Sequence, residues 1–188
     1  MTDDPTRLEA AAEPPDPALV LRPWRPADAA ELVEVCRDDG LRRWTSLAVD
    51  DEAGAARWIG EQRRGRETAE RFAFAVTDTG ARLLGHVVLR RTPADPSTAE
   101  VGYWTAAPAR GRGVAPRALR TLTDWAFAAF APDGLTRLEL LHRVDNEASC
   151  RVARKCGYEL SATLRAAPPA YPLDGHLHVR TVAPGVSR

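Results

Sequence analysis

The residues best suited to chemistry stand at Arg110-Gly111-Arg112-Gly113-Val114-Ala115. Glycines let a backbone approach an anion closely and turn successive N–H groups toward it. The helix predicted from about Pro116 adds the partial positive charge of its N-terminus. Arg110 and Arg112 add charge-assisted donors suited to phosphate oxygens. A site of this kind holds a diphosphate. It lacks the Gly-Lys-Ser/Thr ending of a Walker loop, and the spacing and downstream acid of a dinucleotide fingerprint. Taken alone, so short a pattern describes an arginine-rich surface turn equally well.

Further chemistry-bearing groups follow. Arg143-Val144-Asp145-Asn146 leads into Ser149 and then Lys155-Cys156-Gly157-Tyr158; Asn146 is placed to cap a helix. His176 and His178 are two apart, so on a strand they share a face and could bind a metal. No third ligand is evident in the sequence, and the expectation is of partly satisfied histidines with no metal. His142 reads as a core-edge histidine. The cysteines Cys36, Cys150 and Cys156 form no C-x-x-C pair, which predicts small buried side chains in a reducing, cytoplasmic compartment.

The elements that must position these groups alternate. Leu19–Arg22 reads as a strand. Ala29, Leu32, Val33 and Cys36 recur at helical spacing, and Asp50 and Asp51 can cap a second helix running to about Arg64. Phe72–Thr77, Leu83–Arg91 and Thr98–Thr105 are strands, with Pro93–Pro96 a loop. A helix from near Pro116 carries Leu119, Leu122, Ala126, Phe127 and Phe130. Leu135–Val144 is a strand, and Asn146–Cys156 a helix with Ala148, Val152 and Cys156 inward. Gly157 sits where a helix C-terminal glycine belongs. Tyr158–Leu164 and His176–Val182 close the chain, with Asp174-Gly175 a turn signal before the last. This order predicts an α+β fold: a mixed, mostly antiparallel sheet of six to seven strands with helices on both faces. Residues 1–18, acidic and proline-rich, are expected to be a disordered tail, residues 19–183 one domain, and 184–188 a second tail.

The pattern Arg110…Gly113…Ala115 is similar to the acetyl-CoA loop of the GNAT superfamily. Glu100-Val101-Gly102-Tyr103-Trp104, Asn146…Ser149 and Lys155-Cys156-Gly157-Tyr158 resemble its RimJ/RimL-like branch, with matching element order from about Leu19 to Val182. The resemblance implies an N-acyltransferase moving an acyl group from acetyl-CoA, or another short acyl-CoA, directly to a primary amine. The acceptor would be a protein N-terminus or a small-molecule amine. It implies that Trp104, Thr105 and Ala106 bind the pantetheine arm through backbone groups, that Arg110, Gly111, Arg112, Gly113, Val114 and Ala115 hold the diphosphate, and that Asn146 also contacts the arm. Ser149 would be the acid and Glu100 the base, and Trp44, Thr45 and Tyr171 would line the acceptor pocket. The tyrosine that many relatives carry seven residues after the asparagine is Ala153 here. The glutamate of RimL-type enzymes is absent from the run Ala166 to Ala170. A non-catalytic CoA-binding module is therefore the competing reading.

Bulk composition narrows the remaining classes. The chain has 188 residues, and its 26 basic and 26 acidic side chains cancel, which speaks against nucleic acid as partner. No apolar run reaches the length of a membrane span, and the assembly is expected to be a monomer or homodimer.

Overall fold

The computed structural model describes residues 7–169 and 171–182. Eight strands form one sheet: β1 (Leu8–Ala10), β2 (Leu19–Pro23), β3 (Arg71–Thr77), β4 (Leu83–Thr92), β5 (Asp95–Thr105), β6 (Arg137–Arg143), β7 (Glu159–Leu164) and β8 (Gly175–Thr181). Their spatial order is β1-β2-β3-β4-β5-β6-β8-β7. Every pairing is antiparallel except β5 with β6, which are joined by the crossover helix that a parallel pair requires. The helices are α1 (Ala29–Cys36), α2 (Asp39–Trp44), α3 (Glu52–Glu67), α4 (Val114–Phe130) and α5 (Glu147–Lys155).

Strand alternation divides the apolar side chains into two layers. Phe72, Phe74 and Val76 of β3 join Leu119, Leu122 and Ala126 of α4 and Ala153 and Cys156 at the end of α5. Ala73 and Ala75, between them in sequence, face Leu32, Ile59, Trp24 and Trp104 with α1 and α3. Helices thus cover both faces of the expected α+β sheet.

Three expectations are corrected. Among the described residues the strand count is eight, because Leu8–Ala10 pairs with β2 (Glu9 opposite Val20) inside the segment expected to be a tail; residues 1–6, 170 and 183–188 lie outside the described residues. Asp95 lies opposite Thr92, so the Pro93–Pro96 loop contracts to a tight turn. On α5 Val152 and Cys156 face inward as expected and Ala153 joins them, whereas Ala148 is exposed.

His86 of β4 lies at the centre of the second layer. Trp24 Nε1 donates to its Nδ1 at 3.1 Å, and the ring stacks on Trp104 with centroids 5.5 Å apart. Burial pushes its pKa down to about 3, with Arg90 and Arg71 acting in the same direction. The folded chain therefore resists a proton that the unfolded chain accepts near pH 6.5. The stability this contributes is complete above that pH and is lost as pH falls toward 3. Unfolding free energy should drop between pH 6.5 and 5 by roughly 1 kcal/mol per pH unit from this residue. Denaturant titrations across that range should show a shallower slope for His86→Gln.

Candidate functional site

The sheet opens where the loop begins. β5 and β6 pair from Thr98 opposite Arg137 to Val101 opposite Leu140 and no further. Beyond that point Leu141, His142 and Arg143 pair only with β8, while Gly102–Thr105 pair only with β4. Two parallel strands that part in this way leave one edge of β5 unpaired, a ready surface for a ligand with alternating donors and acceptors.

From the end of β5 the chain passes through a single turn, Ala107–Ala109, into the loop. Gly111 has φ of 75° and Gly113 φ of 65°, both in the left-handed region that glycine occupies without penalty. Gly113 is the N-cap of α4 and has no side chain with which to cap it. Among the described residues, none of the backbone N–H groups of Gly111, Arg112, Gly113, Val114 and Ala115 has a protein acceptor. Orphan donors at the start of a seventeen-residue helix bind anions.

Charge reinforces that end of α4. Arg117, in its first turns, is only 3% exposed. Its Nη2 donates to the carbonyls of Ala11 and Pro17, both at 2.7 Å, while Nε and Nη1 have no partner. Arg112 is exposed and makes no ion pair among the described residues. Arg110 is placed differently from the expectation. Its guanidinium pairs with Asp38, the N-cap of α2, and holds that carboxyl below its ordinary range. Arg110 therefore ties the loop to α2.

α2, which sequence reasoning missed, is tied at one end to Arg110 of the loop and at the other to the end of β6. At its far end Arg43 and Arg143 lie on the Trp44 ring at 4.7 and 5.1 Å, and Asp145 lies 2.8 Å from Arg143. Trp44 remains 37% exposed. Thr45 donates from Oγ1 to the Leu41 carbonyl and ends the helix. Trp44 thus stands beside the end of β6, with Thr45 next to it in sequence. Tyr171 is 70% exposed in the link between β7 and β8, where its backbone pairs with Ala167, and among the described residues no contact brings it to Trp44.

The predicted catalytic pair is divided between the two faces of β5. Asn146 caps α5 by accepting from the Ser149 N–H at 3.1 Å, an arrangement worth about 1 kcal/mol. The Ser149 hydroxyl is met by the Tyr103 hydroxyl at 3.1 Å, a contact between β5 and α5. Burial pushes the Tyr103 phenol up to about 12, so it stays protonated at any working pH. Tyr103 was not singled out by sequence reasoning as a functional side chain, yet it supplies a phenol beside Ser149 where position 153 supplies none. Glu100 lies on the opposite face of β5 and is ion-paired with Arg90, its cross-strand neighbour. The sequence also paired His176 with His178 and found no third ligand. The fold brings His142 and Cys150 to them, and all four donor atoms lie within 4.8 Å of one another.

The sequence matches the family model described as acetyltransferase (GNAT) domain over residues 18–159. No curated protein sequence matches it. Solved structures of similar shape include the microcin C7 self-immunity acetyltransferase MccE in complex with acetyl-CoA and AMP, 18% identical over 87% of this chain and 92% of that one, TM-score 0.77. Another is a Vibrio cholerae protein provisionally assigned as a ribosomal-protein-serine acetyltransferase, 25% identical over 97% and 100%, TM-score 0.74. A third is Mycobacterium smegmatis RimJ in complex with CoA-disulfide, 21% identical over 93% and 85%, TM-score 0.76.

Proposed function

The chain belongs to the GNAT acetyltransferase family, and on that premise we propose that it transfers an acyl group from acyl-CoA directly to a primary amine. One observation carries this reading: strands β5 and β6 part immediately beside a run of acceptor-free N–H groups at the start of α4. The diphosphate of the cofactor sits on Gly111–Ala115, with Arg112 and the buried Arg117 charge supporting it. Arg110 acts through its tie to Asp38, which fixes the loop. The pantetheine arm lies along the unpaired edge of β5, using the backbone of Trp104, Thr105 and Ala106, with Asn146 opposite. Structures of similar shape hold acetyl-CoA or CoA-disulfide, which supports the same cosubstrate here.

Direct transfer needs a polarised carbonyl, an amine that has lost its proton, and a proton for the departing thiolate. A backbone N–H at the end of β5 polarises the thioester oxygen. Ser149 directs its hydroxyl hydrogen to the leaving sulfur, because the Tyr103 phenol donates into its oxygen and leaves that hydrogen free. Glu100, through water, takes the amine proton from the other face of β5; acid and base then flank the thioester from opposite sides. His86 is not the base, since its buried ring stays neutral with Nδ1 already accepting from Trp24.

The acceptor enters past Trp44 and Thr45, beside Arg43, Arg143 and Asp145. A protein N-terminus is the favoured amine class, in line with the ribosomal-protein assignment of a structure of similar shape. The experiment is thiol release from acetyl-, propionyl- and succinyl-CoA against a panel of N-terminal peptides and small amines. We expect turnover with at least one peptide amine. CoA binding without turnover across the whole panel would instead mark a non-catalytic module.

A further inference from the structure

Four donor side chains from three elements meet beneath the start of α5. His142 comes from the end of β6, and His176 and His178 from β8. The β6–β8 register sets His142 opposite His176 and Leu140 opposite His178, so all three histidines share the face covered by α5. Cys150 descends from that helix. Its Sγ lies 3.5 Å from His142 Nε2, 3.3 Å from His176 Nδ1 and 3.7 Å from His178 Nε2. A tetrahedral zinc ion with Zn–S near 2.3 Å and Zn–N near 2.05 Å sets its sulfur and nitrogen ligands roughly 3.6 Å apart. The three observed separations bracket that value.

The outer contacts agree. His142 Nδ1 meets the Arg143 carbonyl at 2.8 Å, and His178 Nδ1 meets the Tyr158 carbonyl at 3.4 Å. A carbonyl only accepts, so each Nδ1 carries the hydrogen and each Nε2 lone pair points into the cluster. Metal-bound histidines are oriented by outer partners in this way. Burial also lowers the pKa of both rings, which favours the neutral imidazole a metal needs. Without an ion, two lone pairs would compete for the single hydrogen of one thiol, leaving a half-buried acceptor unsatisfied.

We propose that His142, Cys150, His176 and His178 bind one zinc-class divalent ion, with the Cys150 thiol proton released on binding. One thiolate with three imidazoles selects zinc and its neighbours over magnesium or calcium. Four protein ligands close the coordination sphere, which marks a structural centre with no open position for substrate. Its effect is to pin α5 to β6 and β8, thereby fixing Asn146 and Ser149, the latter adjacent to Cys150. The ion takes no part in the acyl transfer proposed above, and its presence does not depend on that reading.

The test uses the full chain without an affinity tag, stripped by chelator and gel-filtered. Elemental analysis after incubation with zinc should give one ion per chain. Cobalt(II) should give the intense visible bands of a tetrahedral site with a thiolate-to-cobalt charge-transfer band. That band should vanish in Cys150→Ser, and His176→Ala should weaken zinc at least tenfold, since even outer partners are worth 10- to 100-fold. Should these variants fail to fold, the unmodified chain still decides. Zinc should slow iodoacetamide alkylation of Cys150, mapped by mass spectrometry, at least tenfold, and chelator should restore it. Substoichiometric zinc, an octahedral cobalt spectrum, or alkylation indifferent to zinc would overturn the proposal. Measuring CoA affinity on the same samples keeps its failure distinct from failure of the acyltransferase reading.

Discussion

Ser149→Ala lowers kcat by about two orders of magnitude, the lower end of what a positioned proton donor contributes, while the Kd for CoA changes by less than about threefold. The asymmetry follows from the geometry. The Ser149 backbone, not its hydroxyl, completes the Asn146 cap, so the helix start survives the substitution. Only the hydroxyl beside Tyr103 is lost. Tyr103→Phe keeps the ring packed and removes the donor, and should lower kcat about tenfold with KM unchanged. Because Tyr103 acts through Ser149, the double variant should be no slower than Ser149→Ala alone, the non-additivity expected of residues acting as a unit. Stopped-flow thiol release with parallel calorimetry measures both quantities. Equal losses in kcat and CoA affinity would reduce Ser149 to a cap and Tyr103 to packing.

Gly113→Val should weaken CoA binding at least tenfold, about 1.4 kcal/mol, by calorimetry below the unfolding transition. Two causes add. A β-branched residue at φ of 65° meets a steric penalty of about 1–2 kcal/mol. Its side chain also stands where a phosphate must approach the backbone. Space in the protein is not the obstacle, since a Cβ there would meet Arg117 Cδ and Asp16 Oδ2 only at ordinary contact distances of 3.7 Å. Gly113→Ala, with strain but little bulk, should lie between the two. Unchanged affinity in the valine variant would mean the diphosphate is bound elsewhere.

What could be read in the sequence was local. Period-two and period-3.6 patterns placed seven of the strands and four of the helices, because each buries one face against a layer. The loop was legible because its glycines and arginines are consecutive. α2 was not. It is six residues long, contains Gly40, and depends on the Asp38 cap and on Arg110 from 72 positions away. β1 escaped because three residues among prolines and acids carry no periodicity, and pairing with β2 makes the strand. The four-ligand cluster needed the register of β6 against β8 and the height of α5 above them. Alternation along β5 separates Tyr103 from Glu100, but only the placed helix shows which of the two Ser149 meets.

Arg117 shows how far the loop's environment reaches. The carbonyls of Ala11 and Pro17 are its only acceptors among the described residues, and Arg120 pairs with Glu13 just beyond. A chain trimmed to begin at residue 19, where pattern alone would draw the boundary, loses both acceptors of this guanidinium beside the anion cradle. The leading segment is in this sense a keystone: it touches no catalytic atom, yet it holds in place the guanidinium whose charge supports the cradle.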